Sequence, residues 1–411
     1  MTLNRREFLR NATAAAALAA GAGGFARLGL AADPIKVASI HDLSGGLDIY
    51  GRPMVDALTL AIEEANAAGG LLERPIKLLN YDPQSNMQLY TQFAQEAALK
   101  EKVAVVHGGI TSASREVIRP VLDRFKTLYF YNTQYEGGVC DRNEFTVGST
   151  PAQQMEKLVP YAMKRWGRKV YVIAADYNYG QITSQWVKKY TKDNGGETVA
   201  IDFFPLNVTD FGPTIAKIQA AKPDYVWSAL VGGAHISFYR QWAAAGMTKK
   251  IPIASTTFAL GNEHIVLSPE EANGIVVAYN YFQELDTPIN KAFVERFHKR
   301  FGADYPYITG LAVGTYQGFL LWAEAVKQAK STDRMKVIEV LEKGISVVAP
   351  SGKVTIDQAT HHAVLDIHIA EVQDKKLKVL QSFPQQQPSD TAAVCNLVKN
   401  PTDNQQYVIK I

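Results

Sequence analysis

The sequence predicts an α/β protein built as two doubly wound lobes joined by a multi-strand hinge. Three observations lead there. Short apolar strand runs alternate with helical runs from residue 35 onward, the pattern of parallel βαβ units wound on both faces of a sheet. The alternation starts afresh after "EFTVGSTPAQQ" (144–154). Extra helices and then extra strands follow the second unit, so the chain must cross between lobes more than once. A length of 411 residues, too great for one ordinary core, agrees.

In chain order, "IKVASIHDL" (35–43) reads as a buried strand and "MVDALTLAIEEANAAGG" (54–70) as a helix stopped by Gly69-Gly70. Strand "IKLLNYD", helix "LYTQFAQEAALKE", strand "VAVVHGG", helix "SREVIRPVLDRF" and strand "TLYFYN" complete the first unit. The second unit opens with strand "KVYVIAAD" (169–176) and helix "TSQWVKKYTKDNGG". It continues through "TVAIDFFP", "FGPTIAKIQAAKP", "YVWSALV", "HISFYRQWAAAG" and "IPIASTT". Strand "GIVVAYNYFQ" (274–283) precedes helices over 288–301, 309–330 and 333–343. A strand pair, "GKVTI" with "AVLDIHIAEVQDKKLKVLQSF", and a polar tail end the chain. Crossings are expected near 145–151, 275–283 and 346–353. They divide the chain into lobe one (33–148 plus 280–350), lobe two (149–279 plus 351–383) and a tail (384–411) packing on the lobes. Several crossings make a hinge, and a cleft between hinged lobes can close on a ligand.

The N-terminus is a separate device. Arg5, Arg6 and Arg10 precede an apolar run from about Ala12 to Phe25 and a small-residue stretch ending near Ala31. A bilayer span needs about 20 apolar residues, so the run fits a cleaved signal peptide over 1–31. Arg5-Arg6-x-Phe8-Leu9 resembles the twin-arginine export motif. The formal charge of +3 resides in this leader, through four arginines against Glu7, and the remainder is neutral. A nucleic-acid footprint is absent from such a chain. Two cysteines, Cys140 and Cys395, remain. In an oxidising compartment they are expected to pair, tying the tail to the loop after a lobe-one strand; two buried free thiols are the alternative.

Ligands of open α/β sheets bind beyond the carboxyl ends of the strands. In lobe one, "HGGITSASR" (107–115) follows a strand and opens a helix, with Ser112 and Ser114 read either as helix caps or as ligand contacts. Thr133 ends the next strand. In lobe two, "DYNYG" offers Asp176, Tyr177 and Tyr179, "ALVGGAH" a turn at Gly232-Gly233, and "STTFALGNEH" Thr256, Thr257 and Glu263. Tyr177 and Tyr179 read equally as interface packing. No G-x-S-x-G elbow, phosphate loop or dinucleotide fingerprint is present, so the chain is not read as an enzyme. His361-His362 lacks a metal-ligand spacing, and neither a metal nor a cofactor is expected.

These residues carry a resemblance. "DLSGGLDIYG", "AIEEANAAGGLLERPIKLL", "VAVVHGGITSASREVIRPVL" and "DYNYGQ" are similar to recurring blocks of the Leu/Ile/Val-binding superfamily, the type I periplasmic solute-binding proteins of ABC importers. "TSASR", "FYNTQYEGG", "TPAQQ" and "YNYFQELDTPINKAF" resemble its urea- and short-chain-amide-binding branch. The resemblance implies a monomer that captures a small polar nitrogen compound in the periplasm and hands it to ABC permease subunits in the inner membrane. It implies that Ser112, Tyr131 and Thr133 form the lobe-one wall, that Tyr177 closes from lobe two, and that Gly232-Gly233 approaches the ligand by backbone. Glu136 and the glycines after it would belong to a turn leading away. An amino-acid binder of the same superfamily is the alternative, with Asp176 and Glu263 the lobe-two carboxylates available to an ammonium. An amide-sensing regulatory receptor is the rival of another class, and the export signal argues against it.

Overall fold

A computed structural model describes residues 33–408; the leader read over 1–31 lies outside the described residues. The first sheet takes β1 (Ile35–Ile40), β2 (Ile76–Tyr81), β3 (Val105–Gly108) and β4 (Leu128–Tyr131). Beyond them, β5 (Val139–Asp141) stands off the sheet and β6 (Glu144–Thr146) closes it, in the order β2-β1-β3-β4-β6, with every pairing parallel. Such strands are covered on both faces, which is why they read as apolar runs and not as alternating ones. In β3 and β4 all eight residues are buried.

The second sheet begins with β7 (Lys169–Ala175), β8 (Glu197–Phe204), β9 (Tyr225–Ala229), β10 (Ile253–Ser255) and β11 (Val276–Tyr279), again in parallel. It is extended by β12 (Ser346–Ala349), β13 (Gly352–Ile356), β14 (Ala363–Gln373) and β15 (Lys376–Gln386), all antiparallel to their neighbours. The strand β12 therefore pairs within the second sheet, although the sequence reading placed residues up to 350 in lobe one. A tight antiparallel link through Pro350-Ser351 draws it there. The long "AVLDIHIAEVQDKKLKVLQSF" run is likewise a hairpin. Asp374 and Lys375 both have positive φ (49° and 65°), the conformation of a two-residue hairpin turn.

Between the sheets the chain passes outward through helix Pro151–Trp166 after β6. It returns after β11 to helices Pro288–Phe301 and Gly310–Ala329, the second of which packs on helix Asp48–Ala67 of the first lobe. That first-lobe helix starts six residues before the sequence reading set it, with Pro53 inside it as its sixth residue. The tail then comes back: β16 (Asn404–Gln406) pairs antiparallel with β5, and Cys140 and Cys395 form a disulfide with their Cα atoms 5.3 Å apart. Gly138, at φ +94°, admits this tail, since a Cβ there would stand 2.1 Å from the Tyr407 carbonyl oxygen. No helix among the described residues is long and apolar enough to cross a membrane.

Candidate functional site

A cavity lies where the carboxyl ends of the two parallel sheets face each other. Ile110 and Ser112 follow β3; Tyr131 ends β4, and Thr133 and Gln134 follow it. Across from them, Tyr177 and Tyr179 follow β7, Val231 follows β9, and Thr257 and Leu260 follow β10. Tyr50 and Leu311 complete the lining from helices Asp48–Ala67 and Gly310–Ala329. The space is about 350 Å³ with its open mouth counted. Its enclosed part is only about 30 Å³, room for roughly two waters, so the cleft as it stands admits nothing larger than a very small ligand. None of these lining side chains is charged.

Local structure sets each wall residue. Thr111 caps helix Ser112–Arg124 by accepting from the Ser114 N–H, while the Ser114 hydroxyl accepts from the Ile110 and Thr111 N–H groups. Ser114 is thus a cap, and Ser112, one helical position inside the cap, is on the cavity. The first N–H groups of such a helix find no acceptor within it. Thr133 is held by a close approach: a Cβ on Gly148 would sit 2.1 Å from the Thr133 carbonyl carbon and oxygen. Burial pushes the Tyr179 hydroxyl up to about 12 and those of Tyr131 and Tyr177 higher still, so all three keep their protons at any physiological pH.

The lobes touch directly around the cavity. Gln134 Nε2 donates to the Thr256 carbonyl and to the Tyr179 hydroxyl (3.3 Å), and Gln134 Oε1 accepts from Gln154 Nε2 (2.8 Å). The Gly232 N–H donates to the Tyr50 hydroxyl (3.1 Å), and the Gly233 N–H to the Gly46 carbonyl (3.3 Å). Ser112, Tyr131, Thr133 and Tyr177 therefore line one cavity, whereas Gly232 and Gly233 do not. Their N–H groups are taken up by the facing lobe, one bond behind Tyr50.

Glu136 corrects another expectation. It does not lead away from the pocket but lies fully buried beneath it, accepting from the Ser112 hydroxyl and from Arg115 Nη2 (3.1 Å). The Arg115 guanidinium stacks against Tyr131 and Tyr135, 5.0 and 4.5 Å from the ring centres. Asn178 Nδ2 also approaches Glu136 Oε1 (3.4 Å), and Trp186 Nε1 donates to the Glu136 carbonyl (3.1 Å), both from the second lobe. The two carboxylates considered for an ammonium lie elsewhere. Asp176 is exposed and accepts from Gln181 Nε2 (2.9 Å). Glu263 is buried between His235 Nε2 (3.2 Å) and the Gly261 N–H (3.0 Å). Among the lining residues, sequence reading did not single out Tyr50, Ile110, Gln134, Val231, Leu260 or Leu311. Tyr50 and Gln134 stand inside quoted motifs, but Leu311 carries no local signal and arrives only through the returning chain.

The model of the periplasmic binding protein domain matches residues 35–388. Among curated proteins, the chain is 26% identical to Leu/Ile/Val-binding protein homolog 4 of Brucella abortus over 395 residues, 91% of each chain. It is 24% identical to homolog 6 of Brucella melitensis over 350 residues, 83% of this chain and 88% of that protein. Among solved structures it resembles a solute-binding protein of an ABC transporter from Rhodopseudomonas palustris BisB5 in complex with 3,4-dihydroxybenzoic acid. The TM-score there is 0.79 at 24% identity, with 87% of this chain and 99% of that one covered. It also resembles a leucine-, isoleucine-, valine-, threonine- and alanine-binding protein from Brucella ovis in closed conformation, with TM-score 0.76, 22% identity and 87% and 97% coverage. Proteins of this kind bind a small molecule in the periplasm and work with ABC permeases. A family match across nearly all the described residues, on two facing parallel sheets with a cavity at their strand ends, means that the chain belongs to the periplasmic binding protein family, in its type I, Leu/Ile/Val-binding form.

Proposed function

We propose that this substrate-binding protein captures a small, uncharged polar nitrogen compound, urea or a short-chain amide, through Ser112, Tyr131, Thr133 and Tyr177. The observation that carries this reading is the neutrality of the cavity wall. A free amino acid brings an ammonium that needs a buried counter-charge. Asp176 is in solvent, and Glu263 is already engaged by His235 and the Gly261 N–H. The wall's hydroxyl oxygens and the N–H groups at the start of helix Ser112–Arg124 suit a ligand that both donates and accepts. Gly232 acts one step removed, by donating to the Tyr50 hydroxyl, and Gly233 by donating to the Gly46 carbonyl. The mature chain works as a monomer in the periplasm, exported through Arg5 and Arg6, and changing both to Lys should leave precursor in the cytoplasm.

An aromatic carboxylate is the second reading. It is favoured by the four tyrosines of the wall and by the dihydroxybenzoate complex of the similar structure. A thermal-shift screen separates the two. A ligand at about 100 times its dissociation constant adds roughly 2.7 kcal/mol of stability. Urea, formamide or acetamide should do so. Stabilisation by 4-hydroxybenzoate or leucine with none from the amides would overturn the reading.

A further inference from the structure

We propose that Glu136 is a specificity-determining positioning residue: by taking the Ser112 proton it turns that hydroxyl into a hydrogen-bond acceptor toward the cavity, so that the pocket selects ligands bearing N–H groups over isosteric carboxylates. The inference deepens the reading above and rests on Ser112 meeting the ligand.

A hydroxyl has one proton and two lone pairs. A carboxylate can only accept, so the contact between Ser112 Oγ and Glu136 Oε2 commits the Ser112 proton inward. The neighbouring hydroxyls are committed in the same direction. Tyr131 donates to the Ile110 carbonyl (3.1 Å) and Thr133 to the Gly109 carbonyl (3.3 Å). Neither carbonyl has a proton to give back. The lobe-one wall therefore offers three hydroxyl oxygens whose protons all point away from the ligand. An amide or urea NH₂ can donate to them, whereas a carboxylate would set lone pairs against lone pairs.

Glu136 is held in this orientation from several sides. Arg115 Nη2 donates to its Oε1 at 3.1 Å, and Arg115 is itself fixed by Glu116 (3.0 Å) and by Gln406 of the tail (2.5 Å). Burying an ion pair is often no more stabilising than apolar packing of the same volume. A pair placed under the cavity, without lining it, is explained when its carboxylate dictates which way a wall hydroxyl points. A Gln at 136 could present its NH₂ to Ser112 and reverse that direction.

The test is titration calorimetry of the full mature chain with three amide and acid pairs: acetamide and acetate, benzamide and benzoate, leucinamide and leucine. Glu136→Gln should shift the amide-to-acid affinity ratio toward the acid by roughly tenfold. Loss of the negative charge alone also favours anions, so the same change is made in a Ser112→Ala background. There the shift should be several-fold smaller. An equal shift in both backgrounds, or none in any pair that binds, overturns the proposal. If Glu136→Gln fails to fold by circular dichroism, Ser112→Ala alone must weaken the amide more than its acid; equal weakening overturns it. Preference of the wild-type protein for the acid in every pair defeats the amide reading and the stated selectivity together, whereas an equal shift in both backgrounds defeats only the role given to Glu136. The coupling between residues 112 and 136 is still read from whichever pair binds.

Discussion

Replacing Trp186 with Phe probes the closed cleft without touching its wall. Trp186 is buried on the second lobe and its indole N–H donates across the cleft to the Glu136 carbonyl at 3.1 Å. Phe keeps an aromatic ring in place against Tyr190, its stacking partner at 5.6 Å, but has nothing to donate. When the lobes are together, the Glu136 carbonyl is left buried and unpaired, at a cost of about 1–3 kcal/mol. When they part, water satisfies it. The substitution thus acts on the closed-to-open equilibrium, moving it roughly 5- to 150-fold toward the open form. A ligand that needs both walls binds the closed form, so its apparent dissociation constant rises as the closed fraction falls. Small-angle scattering of the ligand-free protein should show a larger radius of gyration for the variant, and calorimetry a weaker affinity. An unchanged radius together with wild-type affinity would refute the idea that this bond helps hold the lobes together.

Three further outcomes are expected. Cys140→Ser should lower stability by about 2–4 kcal/mol in chemical denaturation, and reduction of the wild type by a similar amount, with ligand preference unchanged. Acid should destabilise the fold: burial holds His41 and His107 at about 3 and His264 and His362 at about 4, below the usual 6.5. Their stabilisation is full above pH 6.5 and is lost as pH falls below it. Glu144, raised by burial to about 8, acts in the opposite sense and loses its stabilisation as pH rises toward 8. The four histidines outweigh it, so denaturant titrations should give less stability at pH 5 than at pH 7, by on the order of 5 kcal/mol. Gly148→Ala should displace Thr133 and weaken ligand binding by calorimetry, while Gly246→Ala, with φ +67° but nothing within 4 Å of its Cβ, should cost stability and leave binding unchanged.

The sequence carried most of the scaffold, because strands covered on both faces announce themselves as unbroken apolar runs. Strand ends could be placed from the polar residues that follow them, which is how Ser112, Thr133 and Tyr177 came to be grouped. Less local features stayed hidden. Gly232-Gly233 looks like a ligand-facing turn, and only the facing lobe shows that Gly46 and Tyr50 use its N–H groups. "YEGG" reads as a turn leading away from the pocket because Arg115, which meets Glu136, stands 21 positions away on another element. The strand β16 has no apolar signature, since its residues Asn404, Gln405 and Gln406 earn their place by backbone pairing and side-chain amides.

That last strand has a consequence for the order of events in the life of the chain. Gln406 reaches back 291 positions to Arg115, and its Nε2 also donates to the Gly137 carbonyl beside Glu136. Contacts of such sequence separation form late, because loop closure precedes their reward. A nascent or truncated chain can assemble both sheets and still lack the brace under its binding wall. Full bracing of the binding wall then waits until the chain has been made through Gln406.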